Sequence, residues 1–400
     1  MDACTGAVIG NVSMAGVLPD ATASNCPSLA WSAQYVGLVG SGATAVRAMV
    51  MFQCAGYNPG PTAYVVALDP LAQVVAWHVA LETYGFYGYA EPISGGARVV
   101  ITLAGASALD AQTGAKVWAL NQADFAAAGC LPLQAVALDA ETVAFSCVSP
   151  SVAAAGPASP MASILALAAA TGSIRWATPL PLLVQSPPEI TIGGLPQPSM
   201  LVVSTGVLLP NTTDLTFQIL AINTASGQVM ARSPPLEAGV TAFSSLAPWS
   251  DDATIVMELS PTHFIPTNGN SSCSALLRGY KLSDENLIPV WDSDALMWTG
   301  SASEEECSAQ AFRPAVAIAR WGKSYVLSFV DFAEGELATY SLGLIDGSSH
   351  KVLGSASLLS LNRPGAPTTF TRTVGLTPTG IVAVVGSDTA SLPWTGFSSK

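Results

Sequence analysis

Apolar residues in this chain come in short runs, broken every several residues by Gly, Pro, Ser, Asn or Asp. Val36, Leu38, Val39, Val46, Met49, Val50 and Phe52 make enough apolar positions for two strands between Tyr35 and Cys54, although strict alternation is poor. Arg98 to Leu103, Ala135 to Val148, Leu201 to Leu209, Ala253 to Leu259, Ala315 to Phe332 and Gly380 to Asp388 read as further strand-and-turn segments. Residues 11–34, 150–160, 261–274 and 292–309 read as loops or insertions. Ala and Val outnumber Lys and Glu, which argues against a helix-rich fold.

One phrase recurs among these runs. Ala108 to Trp118 reads A-L-D-A-Q-T-G-A-K-V-W. It makes sense as a hairpin: Ala108–Asp110 end one strand, Gln112–Gly114 turn, and Lys116–Trp118 start the return. Asp110 accepts from turn amides, and Gly114 takes a positive φ without steric cost. Counting from Ala108, the phrase has alanine at position 1, aspartate at 3, glycine at 7 and tryptophan at 11. Looser copies are Ala67/Asp69/Gln73/Trp77, Ala166/Ala168/Gly172/Trp176, Ala221/Asn223/Gly227/Ala231, Ser283/Trp291 and Asp346–Gly354, with an opening fragment at Asp2–Val8. Position 3 falls at residues 2, 69, 110, 168, 223, 283 and 346, at a mean interval of about 57 residues. A compact four-stranded propeller blade needs roughly 40–45 residues, so the 41-residue interval from 69 to 110 is a blade with minimal loops and the others carry insertions. The expectation is an all-β, seven-bladed β-propeller of four-stranded antiparallel blades, with eight blades as the alternative, forming a single domain over residues 1–400. The last strands, near Gly380–Asp388, are expected to complete the blade begun at Asp2 and so remove open sheet edges.

The phrase resembles the repeat of the pyrroloquinoline-quinone-like propellers, the family of the quinoprotein alcohol dehydrogenases and of an outer-membrane assembly lipoprotein. The resemblance implies that Trp77, Trp118, Trp176 and Trp291 dock each blade on the next. It also implies an enzyme class that uses pyrroloquinoline quinone (PQQ) with Ca²⁺. That class typically has eight blades, adjacent cysteines that cap the quinone, and carboxylates around the calcium. This sequence has no Cys-Cys pair and no position onto which those ligands can be carried. No catalytic, cofactor-binding or metal residue is therefore assigned, and the reading leans away from an enzyme.

Composition narrows the partners. The net charge is −13 with five lysines, so no basic patch for nucleic acid is visible. No apolar run approaches the roughly 20 residues of a membrane span, and no signal peptide is visible at Met1. Cys26/Cys54, Cys130/Cys147 and Cys273/Cys307 each bracket a short stretch, with Cys4 left over. Three local disulfides or buried free thiols are the two readings. Three sequons, at Asn11, Asn211 and Asn270, point with the disulfides to an extracellular or secretory setting. A third reading is one module of a larger secreted or surface protein.

The remaining chemistry is sparse. His78, His263 and His350 lie far apart, and His78, next to Trp77, is expected to face outward. Asp292, Asp294, Glu304, Glu305 and Glu306 fit a solvated acidic loop better than a Ca²⁺ loop. Tyr84–Tyr89, an aromatic–glycine run, suits blade-edge packing or a ring-stacking platform. The functional expectation is a non-catalytic scaffold that holds a protein, peptide or glycan partner; the alternative is a PQQ-dependent alcohol or sugar oxidoreductase.

Overall fold

The computed structural model describes residues 17, 31–40, 47–54, 61–69, 71–82, 89–103, 105–148, 162–180, 191–194, 200–208, 215–235, 240–248, 254–261, 265–267, 270–294, 296–300, 319–321, 324–333, 337–362, 372–377, 380–385 and 388–393. These residues are all-β apart from one short helix and one 3₁₀ turn.

The strands group into antiparallel units taken in chain order, the fourth and fifth of which are joined into one continuous sheet by a parallel bridge at Arg232 and Asn286. The first holds β1 (Trp31–Val39), β2 (Arg47–Cys54), β3 (Pro61–Asp69) and β4 (Val74–Glu82). The second holds β5 (Tyr89–Ile93), β6 (Arg98–Leu103), β7 (Gly105–Asp110) and β8 (Lys116–Leu120). Helix α1 (Gln122–Ala127) leads to the third, β9 (Leu131–Ala137), β10 (Thr142–Val148), β11 (Ala162–Ala168) and β12 (Ile174–Leu180). The fourth is β13 (Thr191–Gly194), β14 (Met200–Leu208), β15 (Leu215–Asn223) and β16 (Val229–Arg232). The fifth is β17 (Val240–Pro248), β18 (Thr254–Pro261), β20 (Asn270–Ser283) and β21 (Asn286–Asp292), with β19 (Ile265–Thr267) and β22 (Leu296–Gly300) added to the start of β20. The sixth is β23 (Ala319–Trp321), β24 (Ser324–Ala333), β25 (Leu337–Asp346) and β26 (Val352–Asn362). The last is three-stranded among the described residues: β27 (Arg372–Thr377), β28 (Gly380–Val385) and β29 (Asp388–Pro393).

Six of the sequence copies become the same object, the hairpin joining the two outer strands of a sheet. The register sets Ala67 opposite Trp77, Ala108 opposite Trp118 and Ala166 opposite Trp176. The turns form as their aspartates require: Asp69 accepts from the amides of Leu71 and Ala72, Asp110 from Gln112 and Thr113, Asn223 from Ala225 and Ser226, and Asp346 from Ser348 and Ser349. The Ala72 amide at Asp69, the Thr113 hydroxyl at Asp110 and the Ser348 hydroxyl at Asp346, with the other turn amides, hold these three carboxyls below their ordinary range. The seventh fragment, Asp2–Val8, and with it the closure of the two chain ends, lies outside the described residues.

Successive sheets pack face to face. Strand β1 lies against β5, β5 against β9, β9 against β13, and β13 against β17. Val65, Ala67, Val99, Ile101 and Leu109 share one core between the first two sheets. Val100, Ala106, Ala108, Val143, Phe145, Leu165 and Leu167 share the next. Odd and even residues of one strand thus face different cores, and β10 is buried at six consecutive positions, Thr142 to Cys147. A strand buried on both faces has no reason to alternate, which accounts for the unpatterned apolar runs.

Four sequence expectations change. Strand β1 starts at Trp31, inside a stretch expected to be loop. The polar insertion 261–274 contributes β19 and the start of β20, and 292–309 contributes β22. Their polar residues are drawn into strands because Ser271–Ala275 pairs with Leu296–Gly300 and extends an existing ladder. Helix α1 was not expected. It is set by a capping box in which Asn121 accepts from the amides of Ala123 and Asp124 while Asp124 accepts from Asn121.

Candidate functional site

The joints between sheets are built around the repeat tryptophans. Trp77 donates its indole N–H to the carbonyl of Ala111 at 3.1 Å, Trp118 to Ala169 at 2.9 Å, and Trp176 to Thr224 at 2.8 Å. Each acceptor is the residue after position 3 in the following copy. Each ring also covers the turn glycine of that copy: a Cβ added at Gly114, Gly172 or Gly227 would lie 2.6, 2.9 or 2.6 Å from the ring of Trp77, Trp118 or Trp176. These glycines have φ of 70°, 71° and 73°, so glycine is required there by both backbone and space.

The fourth copy departs from this pattern. Ala231 stands where the others carry tryptophan, and the following turn is only two residues, Asp284-Glu285. Without a ring to separate them, the sheets meet directly: Arg232 donates its amide to Glu285 at 3.2 Å, and β16 pairs in parallel with β21 at Arg232 and Asn286. The fifth copy keeps its tryptophan. Trp291 crosses Gly279 and stacks on His350, with ring centroids 4.1 Å apart and planes 8° from parallel.

The first joint opens into a cleft of about 960 Å³. It lies between β4, the sheet β6–β8, and α1. Ile101 is buried at its floor beside Ser107 and Ala119, Leu81 and Leu120 flank it, and Lys116, Asn121 and Gln122 stand exposed at its polar side. Small residues make the space: Gly105, Ala106, Ser107, Ala119 and Ala123 all line it. Gly105 is obligatory, because a Cβ there would lie 2.4 Å from the carbonyl oxygen of Leu120. Helix α1 is anchored on the other side by Phe125, which packs edge-on against Phe145 at 5.6 Å.

A second feature is Glu91 on β5, the strand lying against β9 of the next sheet. Burial pushes its carboxyl up to about 7, opposed by a hydrogen bond from the Ala137 amide. Sequence reading missed Glu91, since nothing local marks a half-buried strand glutamate as desolvated. It also missed the cap at Asn121 and Asp124. The signal for His350 was present, because it is four residues after Asp346, in the glycine place of the repeat.

Other sequence candidates are placed as follows. His78 is exposed beside Trp77, as expected. Asp292 forms a paired ion contact with Arg278, at 2.6 and 2.8 Å, so it serves the hairpin β20–β21. Cys130 and Cys147 form a disulfide with Cα atoms 4.9 Å apart, buried in the core between the second and third sheets. Cys4, Cys26, Cys307, His263, Glu304–Glu306, Asn11, Asn211 and residues 84–88 lie outside the described residues, as do the side chains of Tyr89, Cys54, Cys273 and Asn270. Among the described residues no group of three or more His, Cys, Asp or Glu is placed to hold a metal, and no helix is long and apolar enough to cross a membrane.

The chain is all-β, built of antiparallel sheets, and similar to solved propellers. These likenesses are at low identity. BamB from Moraxella catarrhalis is 14% identical, with 90% of this chain and 84% of that chain covered and a TM-score of 0.42. Quinohemoprotein alcohol dehydrogenase from Comamonas testosteroni is 14% identical, with 88% and 65% covered and a TM-score of 0.45. Saccharomyces cerevisiae Sqt1 is 10% identical, with 90% and 96% covered and a TM-score of 0.47. No family model matches the chain. No curated protein matches it.

Proposed function

We propose that the chain is a seven-bladed PQQ-like β-propeller that works as a binding scaffold for a protein, peptide or glycan, in an extracellular or secretory setting. Residues 1–400 form one domain, and the N-terminal fragment at Asp2 supplies the fourth strand beside β27–β29. The repeated hairpins and the face-to-face packing of successive sheets support the propeller. The buried Cys130–Cys147 disulfide supports the oxidising compartment.

The observation that carries the binding role is the cleft at the first joint. It is concave, has an apolar floor at Ile101 and Ala119, and has a polar side at Lys116, Asn121 and Gln122. Its volume falls within the range of about 300–1,000 Å³ usual for ligand pockets. A scaffold needs little else: fixed walls, which the Trp77 joint and α1 supply, and a few polar groups to orient what binds.

The test is binding to glycan and synthetic-peptide arrays by the wild type and by Ala119→Trp, which fills the cleft from the exposed face of β8. Ligands that bind the wild type and lose at least about tenfold in affinity, roughly 1.4 kcal/mol, in the variant support the cleft. No binding, or binding unchanged by the variant, overturns it. A thermal-shift titration with PQQ and Ca²⁺ separates the scaffold from the oxidoreductase that the repeat resemblance implies. A ligand specific for the folded state adds about 2.7 kcal/mol at a hundredfold excess over its Kd, so a saturable rise would replace the scaffold reading.

A further inference from the structure

Three joints share one arrangement. The docking indole lies between an alanine opposite it in its own sheet and a glycine in the next hairpin. The joint between the fifth and sixth sheets changes both partners. Gly279 stands opposite Trp291, and His350 occupies the glycine place of the Asp346 hairpin with a left-handed φ of 58°. Space released on one side of the indole is matched by a ring added on the other. The imidazole stacks at 4.1 Å and 8°. The backbone reinforces the contact, since the Asp294 amide donates to the His350 carbonyl at 2.9 Å.

We propose that Trp291 and His350 form a protonation-sensitive clamp between the fifth and sixth sheets. A cation over an indole face is drawn to the ring's negative quadrupole, and a neutral imidazole is not drawn to the same degree. Histidine is the side chain whose charge ordinarily changes near neutrality. The clamp is therefore tighter on the acid side, and the other three joints have no such response because glycine carries no charge. The charged groups around the pair are Asp346 and Lys351 on the histidine's own hairpin, and Arg278, Asp292 and Asp294 on the facing sheet. Asp292 is held by Arg278, and Asp346 accepts from Ser348 and Ser349.

The experiment compares the wild type with His350→Phe, which keeps a ring without a charge, and with His350→Gly, which restores the residue of the other joints. Tryptophan fluorescence and amide hydrogen exchange over β21 are read at about pH 5.5 and about pH 8, on either side of the usual imidazole titration. Exchange is corrected for the rate of an unstructured chain. In the wild type, acidification should quench part of the fluorescence and slow exchange over β21 by roughly two- to fivefold. With all three proteins carrying Glu91→Gln, which removes the pH dependence of that carboxyl, both changes should vanish in both variants, which retain His78 and His263 as an internal baseline. If either folded variant keeps the wild-type pH profile, the clamp is refuted. Should His350→Phe fail to fold, His350→Gly decides alone.

Discussion

Replacing Trp118 by alanine tests the joint between the second and third sheets. The indole is 8% exposed, lies between Ala108 and Gly172, and donates to the Ala169 carbonyl at 2.9 Å. An aromatic side chain removes about 150–250 Å² from water, which at about 25 cal/mol/Å² is roughly 4–6 kcal/mol, part of it kept by the alanine methyl. The Ala169 carbonyl is not orphaned, because Arg98 also donates to it at 3.1 Å. The lost hydrogen bond therefore adds only about 1 kcal/mol. The expected cost is about 3–5 kcal/mol, the range for burying and then truncating a large aromatic. Urea unfolding followed by circular dichroism reads it, with Trp118→Phe as the partner variant that keeps bulk and drops the donor. A loss under about 1 kcal/mol would mean that Trp118 does not dock one sheet on the next.

Other expectations follow from single positions. Gly172→Ala and Gly129→Ala share nearly the same backbone, φ 71° and 70°, but only the first adds a Cβ against Trp118. Gly129→Ala should cost about 1–2 kcal/mol from the left-handed conformation, and Gly172→Ala clearly more in the same denaturation assay. Equal costs would mean that the ring moves aside freely. Replacing Cys130 and Cys147 together by alanine should cost about 3 kcal/mol for a loop of 17 residues, checked by unfolding under oxidising conditions. Glu91 gives a pH dependence with a definite sign. Its carboxyl sits at about 7 when folded against 4.5 as the ordinary value, so the folded state holds a proton that the unfolded state releases. Stability then falls as pH rises from about 4.5 to about 7, by up to about 3 kcal/mol at 1.36 kcal/mol per unit. Glu91→Gln should remove that slope, and a slope unchanged in the variant would place the titration elsewhere.

The hairpins were legible because their hydrogen bonds are local. Asp110 meets the amides of Gln112 and Thr113 two and three residues away, and this geometry needs no partner from afar. The docking role of Trp77, Trp118 and Trp176 was legible through the family that the repeat resembles, and the carbonyl acceptors of Ala111, Ala169 and Thr224 came only with the structure. Helix α1 was less so, since it has a single buried residue, Phe125, and its support comes from Phe145 and from the disulfide that follows it. Strands β19 and β22 were read as loops because they are short and flanked by polar and acidic residues, and their pairing with β20 exists only once the chain has folded back.

The sequence by itself determined the unit: a turn acid, a turn glycine, a small residue and a tryptophan, spaced so that one hairpin can receive the ring of the one before. It also determined how often the unit recurs, because spacing along a chain is a local property. The tertiary structure decided which environments arise between units. Glu91 is half-buried and desolvated only because β9 comes to lie beside β5. The cleft exists only because β4 and α1 stand apart over a patch of small residues. Trp291 finds a histidine rather than a glycine only when the fifth and sixth sheets meet. Burial, desolvation and ring stacking depend on groups brought together across tens of residues, and no single stretch of sequence carries that distance.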